Sequence, residues 1–195
     1  MKKSIIALII ALMMIQMSFF GQSYSALWKK VKEAEDKDLP KTEYEVLQQI
    51  VDKATKENAY GQLLKAELQG AQVMTVISPD SLKPAVERIQ KRCTETKDEV
   101  LRTVYQTVLY RICSDNAGLE MQAEKPVLTP QLCQKLAAVK DETYVPFVIT
   151  HSDSKIFDHD LLSVIGYELE QYQPLHDYYS QKGNRHAAFL TAVMA

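Results

Sequence analysis

The stretch of sequence that decides the fold is Val100-Leu101-Arg102-Thr103-Val104-Tyr105-Gln106-Thr107-Val108-Leu109-Tyr110-Arg111-Ile112-Cys113. Its apolar residues recur every three to four positions, which is the spacing of one face of an α-helix. The apolar stripe is wide, so this helix has to pack against neighbours on two sides. The sequence therefore predicts a central helix around which other helices assemble.

Segments with the same helical spacing flank the central helix on both sides, joined by short polar or proline-containing links. The predicted helices begin near Ser25, at Thr42, near Ala59, at Asp80 or Ser81, at Pro130, at Asp158, at Glu170 and at Asn184. Asn58 is predicted to end the second of them, and Gly183 is predicted to be a left-handed cap. The segment 141–154 is predicted to be coil, because Pro146 disfavours a strand there.

The sequence predicts an all-α fold of irregular antiparallel helical hairpins, either tetratricopeptide-like or bundle-like. Helix pairs begin near Lys41 and Asp80, which are 39 residues apart. The tetratricopeptide period is about 34 residues, and the Trp, Gly, Tyr and Pro signature of that repeat is missing. Irregular hairpins are therefore favoured over true repeats.

The first 21 residues have the pattern of a secretory signal peptide. Lys2 and Lys3 precede an apolar run from Ile5 to Ile15, and Gly21 offers a small residue at the cleavage site. An uncleaved anchor is the alternative, but a spanning helix needs about 20 apolar residues. We expect an exported, periplasmic or envelope-associated protein, with a helical domain over residues 22–195 and no stable membrane span after the signal is removed.

Composition and charge exclude several classes of protein. The 195 residues are 46% hydrophobic and 25% charged, with 6 Gly and 7 Pro, which is a globular profile. The formal net charge is -2 and basic residues form no stripe, so a nucleic-acid partner is not expected.

The three cysteines form an odd set, so in an oxidising compartment at least one of them is free or pairs between chains. In an up-and-down arrangement of helices, Cys113 ends one helix and Cys133 begins the next, so both lie at the same end of the bundle. Cys93 then lies at the opposite end of the bundle. A Cys113–Cys133 disulfide is one interpretation. The alternative is three partly buried thiols that act as small hydrophobic residues.

The densest polar cluster is His151, Asp153, Asp158, His159 and Asp160, and a second His-Asp pair follows at His176 and Asp177. Such residues can ligate a divalent metal. The spacing fits a known ligand set poorly, and turn capping explains the carboxylates equally well. There is no nucleophile elbow and no glycine-rich phosphate loop. We therefore expect no catalytic, metal or cofactor site, and a protein that is not an enzyme.

Tyrosines are the candidate interaction residues. Tyr167, Tyr172, Tyr178 and Tyr179 fall within 13 positions at helical spacing, which is typical of core and groove lining. A peptide or protein partner is predicted to lie in a groove lined by Tyr105, Tyr110, Tyr167 and Tyr172.

Several short sequence segments, taken in their order along the chain, resemble those of a known family. They are Gln22-Ser23-Tyr24-Ser25-Ala26-Leu27-Trp28-Lys29-Lys30-Val31, Lys37-Asp38-Leu39-Pro40-Lys41-Thr42 with Glu45-Val46-Leu47-Gln48-Gln49-Ile50, Ile77-Ser78-Pro79-Asp80-Ser81-Leu82, the segment 152–162, and the segment 177–185. Together they resemble the N-terminal helical region of exported bacterial alpha-2-macroglobulin-family proteins. The resemblance implies inhibition of endopeptidases by trapping, in many members with an internal thioester.

The chain departs from that family at the thioester, which needs Cys-x-Glu-Gln. The nearest match, Cys93-Thr94-Glu95-Thr96, lacks the Gln carbonyl, so no thioester is expected. The macroglobulin-like domains are absent, and Phe189, Leu190 and Val193 end the chain on an uncapped helix, so an incomplete N-terminal part of a longer protein, or a shortened relative, is expected. The predicted function is a non-catalytic scaffold or docking surface for the protease trap, and the alternative is an exported tetratricopeptide-like adaptor.

Overall fold

The periodic segments of the sequence fold as α-helices. The computed structural model describes residues 22–140, 156–157 and 159–195, and within them the helices are α1 (Tyr24–Asp36), α2 (Pro40–Glu57), α3 (Tyr60–Ile77), α4 (Leu82–Glu95), α5 (Glu99–Asp115), α6 (Pro130–Ala138), α7 (Leu161–Glu168), α8 (Tyr172–Lys182) and α9 (Arg185–Met194). Short 3-10 turns follow α3 and α5, at Pro79–Ser81 and Ala117–Leu119. The described residues form no strand, and the all-α prediction is confirmed.

Two helices begin earlier than the sequence predicted. The cap of α1 is Ser23 rather than Ser25, and its hydroxyl accepts a hydrogen bond from the backbone N–H of Ala26 at 3.2 Å. Helix α2 begins at Pro40 rather than Thr42, because a proline in the first turn has no N–H to satisfy and a fixed φ that suits a helix.

The predicted helix ends agree with the structure more closely. Asn58 ends α2 in the left-handed conformation, with φ 53°. Gly183 ends α8 with φ 77°, and the side chain of Asn184 accepts from the N–H of Ala187 to begin α9.

Helix α7 differs from the predicted span 158–166. It runs over Leu161–Glu168, because Asp160 is its N-cap and accepts from the N–H of Ser163 at 2.7 Å. The predicted coil at 141–154 lies outside the described residues.

The helices pack as successive neighbours around α5. Helices α1, α2 and α3 lie side by side, α4 packs on α5, and α5 also contacts α3, α6 and α7. Helices α6, α7 and α8 pack together, and α9 forms a hairpin with α8. The prediction that the 100–113 segment is the central helix is confirmed.

Two buried polar contacts join neighbouring helices. Glu67 of α3, 5% exposed, accepts from the guanidinium of Arg92 of α4 at 2.9 Å. Asp160, 1% exposed, accepts from the hydroxyl of Tyr179 of α8 at 2.9 Å. Burial raises the pKa of both carboxyl groups.

Candidate docking groove

A groove that combines apolar and charged side chains runs along the outer side of α3. Its central part has a volume of about 600 Å³. It is lined by Glu35, Glu43, Lys65, Leu68, Gln69, Gln72, Val73, Val76, Arg111, Asp115 and Glu168. These residues come from α1, α2, α3, α5 and α7, so the groove exists only where five helices meet.

The groove continues beyond its central part. A neighbouring cavity of about 230 Å³ shares Leu68, Gln72 and Asp115 with it. A third cavity, of about 500 Å³, shares Thr75 and Asn116 with the second. The three cavities together form one elongated depression, which we call the α3 groove.

One wall of the α3 groove carries a charged cluster built on Arg111. Its Nε lies 3.3 Å from Glu168 Oε2 and its Nη2 lies 3.5 Å from Asp115 Oδ2. Burial raises the pKa of Glu168, and the Arg111 charge opposes that shift. Arg111 is therefore already occupied by two carboxylates of its own chain.

The opposite wall carries Glu35 and Glu43. Glu43 is 7% exposed and accepts from Gln69 Nε2 at 2.8 Å. Glu35 is exposed and pairs with Lys32 at 3.2 Å. The two walls therefore both present carboxylates, on either side of α3.

The second cation of the central groove, Lys65, is held against an aromatic ring. Its ammonium lies 4.3 Å from the centroid of the Trp28 ring. Trp28 in turn donates its Nε1–H to Gln62 at 2.6 Å. Burial lowers the pKa of Lys65, because a charge removed from water is disfavoured.

The four tyrosines that the sequence assigned to one groove differ in exposure, since Tyr105 is buried and the other three are half-buried. Tyr105 is 2% exposed, and burial raises the pKa of its hydroxyl, so its predicted role as an accessible groove residue is wrong. Tyr110 lies five positions later on the same helix, about 140° around its axis, and carries Lys125 over its ring at 5.4 Å. Tyr167 and Tyr172 pack edge to face, with ring centroids 5.3 Å apart. Tyr110 and Tyr167 also pack against the core, and a groove shared by Tyr110, Tyr167 and Tyr172 stays a prediction.

Of the described histidines and aspartates, His176 and Asp160 make contacts that join neighbouring helices. His176 donates from Nδ1 to the carbonyl of Ala188 at 2.8 Å and ties α8 to α9. His159 has φ 51°, and its buried Nδ1 has no hydrogen-bond partner among the described residues. His151, Asp153 and Asp158 lie outside the described residues. No three His, Cys, Asp or Glu side chains of the described chain gather where they could hold a metal ion.

All three cysteines are free thiols in the structure, so the Cys113–Cys133 disulfide that the sequence left open is not formed here. Cys133 is 2% exposed, and burial raises its pKa to about 11. Burial also raises the pKa values of Cys93 and Cys113. The thiols thus have the environment of small hydrophobic residues rather than of nucleophiles.

Two further surfaces stand out. A cavity of about 570 Å³ lies between α6 and α8, with Cys133, Asp177, Tyr178 and Lys182 in its wall. The last helix, α9, leaves apolar side chains in solvent, since Phe189 is 73% exposed and Val193 69%.

Comparisons with known proteins give no family for this chain. No family model, no curated protein and no solved structure matches it. Within the described residues, none of the helices has the length and hydrophobicity that crossing a membrane requires.

Sequence reasoning missed the residues that form the α3 groove. One signal was present: Glu35, Asp115 and Glu168 stand in the last turns of α1, α5 and α7, where basic residues are normally preferred. Acidic residues at three helix ends oppose the helix dipole and so call for another explanation. Only the packing of the helices shows that the three ends share one groove.

Proposed function

We propose that this chain is a non-catalytic helical docking module of an exported protein. The observation that carries the proposal is the α3 groove. Its floor is the outer face of α3 and includes Val76, which has 71% of its surface in solvent. An exposed apolar residue on the floor of a concave, charged surface is typical of a protein-binding site. The groove draws on five helices, as a docking surface on a hairpin scaffold does.

The use of the chemistry-bearing residues supports a non-catalytic role. Asp160 caps a helix and His176 ties two helices together. Cys93 and Cys133 are buried and Cys113 is half-buried, and burial raises the pKa values of all three thiols. Groups committed in this way stabilise the fold and leave no base or nucleophile poised in the described part of the groove.

The resemblance stated above gives the first form of the proposal, a scaffold or docking surface for the trap of an alpha-2-macroglobulin-like endopeptidase inhibitor. The apolar outer face of α9 suits a scaffold, because another part of an inhibitor could pack on Phe189 and Val193. The second form is an adaptor that binds a peptide or protein partner in the groove. In both forms the chain alone neither inhibits nor cleaves a protease.

Site-specific photo-crosslinking in intact cells tests the docking role. A benzophenone amino acid replaces Val76 in the groove, and in the control it replaces Val127, which is 73% exposed and does not line the groove. We expect a defined crosslinked product from position 76 and none from position 127. Equal products from both positions, or no product from position 76, would contradict docking in this groove.

The mass of the native protein in envelope fractions separates the two forms. An antibody against residues 22–140 detects the chain. A species much larger than 22.2 kDa favours the inhibitor scaffold, and a species smaller only by the signal peptide favours the adaptor. Slowing of a broad-specificity protease by the isolated module would contradict both forms.

A further inference from the structure

We propose that the α3 groove binds an extended cationic segment of a partner protein, in which Lys or Arg side chains alternate with small apolar ones. The inference rests on the docking function proposed above and adds the chemistry of the partner. It is carried by the charge, the helix ends, the apolar floor and the shape of the groove.

The first support is an excess of carboxylates. Among the described residues, the central groove is lined by four acidic ones, Glu35, Glu43, Asp115 and Glu168, and by two cations, Lys65 and Arg111. Arg111 already lies between Asp115 and Glu168, and Lys65 lies over the Trp28 ring. Glu35 pairs with Lys32, so the four carboxylates face three cations and an excess of one negative charge remains. A cationic ligand would balance that charge.

The lining residues at the far end of the groove also carry a net negative charge. Asp80 and Glu120 line it, together with the single cation Lys83. A ligand that lies along the whole groove thus meets an excess of carboxylates at both ends of its path.

The C-terminal ends of three helices add to the negative electrostatic potential of the groove. Three helices, α1, α5 and α7, bring their C-terminal turns to the groove, and none of them has a basic residue in its last turn. The C-terminus of a helix carries a partial negative charge, equivalent to about half an elementary charge. The carboxylates of Glu35, Asp115 and Glu168 lie beside these partial charges and are repelled by them. A cation in the groove would interact favourably with the carboxylates and with the helix ends.

The apolar floor explains why the ligand is a peptide segment rather than a small cation. Val76 is 71% exposed and Leu68 is half-buried, so the floor offers apolar contact between the acidic walls. From Lys65 to Val76, α3 rises by about 16 Å. This length accommodates about five residues of extended chain, whose alternate side chains reach the walls and the floor.

Anionic partners are disfavoured by the same features. Phosphates of nucleic acids and the headgroups of anionic lipids would meet carboxylates and negative helix ends, which repel them. A cationic segment of a protein is the partner that the groove complements.

Fluorescence anisotropy with labelled peptides tests the inference on the full exported chain. The probe is Gly-Lys-Val-Lys-Val-Lys-Gly, and the matched peptides carry Ser or Glu in place of Lys. We expect the Lys peptide to bind at least about tenfold more tightly than the Ser peptide, and the Glu peptide not to bind. Raising the salt concentration from about 50 to about 300 mM should weaken the binding, because it shortens the screening length.

Charge-matched variants separate the groove from the net charge of the protein. The groove variant carries Glu35→Gln with Asp115→Asn, and the control carries Glu45→Gln with Glu87→Gln, two exposed residues that do not line the groove. We expect the groove variant to bind the Lys peptide about fivefold more weakly, and the control to bind it nearly as well as the parent. Val76→Lys, at an exposed position, should also abolish binding without unfolding the protein.

Each result has one meaning. Equal weakening in the groove variant and the control overturns the inference, because net charge then explains the binding. Binding of the Ser or Glu peptide that Val76→Lys abolishes overturns the cationic preference but supports docking in the groove. Absence of peptide binding, with a crosslinked product from position 76, likewise overturns the inference alone. Failure of both experiments overturns the docking function as well.

Discussion

The hydroxyl of Tyr179 donates to the carboxylate of Asp160 and lies 2.9 Å from each of its oxygens. Both residues are buried, and the contact joins the start of α7 to the last turn of α8. Asp160 also accepts from the backbone N–H of Ser163. One side chain thus caps a helix and fixes the position of its neighbour.

Replacing Tyr179 by Phe should destabilise the protein by about 1–3 kcal/mol, because the buried carboxylate loses its hydroxyl donor. Urea unfolding followed by circular dichroism measures the change. Tyr110→Phe is the control, since Tyr110 is half-buried and lies under Lys125, and it should change stability by less than about 0.5 kcal/mol. Equal effects of the two substitutions would show that the Tyr179 hydrogen bond contributes nothing measurable.

Stability should rise as the pH falls from neutral towards the ordinary carboxyl range. Burial raises the pKa values of Asp160 and Glu67 in the folded state, so the folded protein takes up these protons at a higher pH than the unfolded chain. Their destabilising contribution is fully present above the raised pKa values and is lost as the pH falls through them. The midpoint of urea unfolding, measured at several pH values between 7 and 5, gives the slope of stability against pH.

Asp160→Asn tests which carboxyl group causes that slope. The amide oxygen can still accept from the Ser163 N–H, but the side chain no longer titrates. The variant should therefore show a smaller dependence of stability on pH. Glu45→Gln, which removes an exposed carboxylate, should leave the slope unchanged. An unchanged slope in the Asp160 variant would refute the assignment.

Gly166 sets the distance between α7 and α8. A Cβ atom at this position would lie 2.0 Å from Cδ1 and 2.9 Å from Cγ of Leu175, which is fully buried. Gly166→Ala should therefore lower the unfolding free energy by about 1–3 kcal/mol, despite the better helix propensity of alanine. Gly118→Ala is the control, because no atom of the described residues lies within 4 Å of the Cβ position at Gly118. A stabilised Gly166→Ala variant would show that Leu175 moves aside freely.

Replacing only one residue of the Glu67–Arg92 pair should destabilise the protein more than replacing both. Arg92→Leu leaves the buried Glu67 carboxylate without its partner and should destabilise the protein by about 3 kcal/mol. Adding Glu67→Met removes the unpaired charge and should restore much of that loss. A double-mutant cycle by urea unfolding measures the coupling. Additive effects of the two substitutions would contradict an interaction between them.

The cysteines should differ in reactivity according to their burial. Cys113 is half-buried, whereas Cys133 is 2% exposed and its pKa is raised to about 11. Iodoacetamide at pH 8 should therefore modify Cys113 first and Cys133 only on unfolding, because the thiolate is the reactive form. Intact-protein mass spectrometry counts the additions. Rapid modification of Cys133 in the folded protein would contradict its burial.

Local sequence signals predicted most helix boundaries to within three residues. Asn58, Gly183 and Asn184 act through their own backbone conformation or through a partner three residues away. Signals of this range can be read from the chain alone. The predicted start of α7 was wrong, because Asp158 and Asp160 are both residues that can cap a helix, and the contact with Tyr179 favours Asp160.

Local sequence signals could not predict the α3 groove. The periodicity of residues 100–113 marks Tyr105 and Tyr110 as aromatic residues of one helix, but it does not say which of them faces the core. Burial of Tyr105 depends on α3 and α4 packing against α5. The groove residues Glu35, Val76 and Glu168 are distant in sequence, and no local pattern connects them.

The sequence by itself determined an all-α chain with a central helix over residues 100–113 and with defined caps, because periodicity and capping act within a turn or two. Tertiary structure alone decided that Glu35, Asp115 and Glu168 share one groove and that Asp160 meets Tyr179. The physical reason is that these relations depend on how whole helices pack against one another. That packing is set by the sum of many apolar contacts rather than by any single residue.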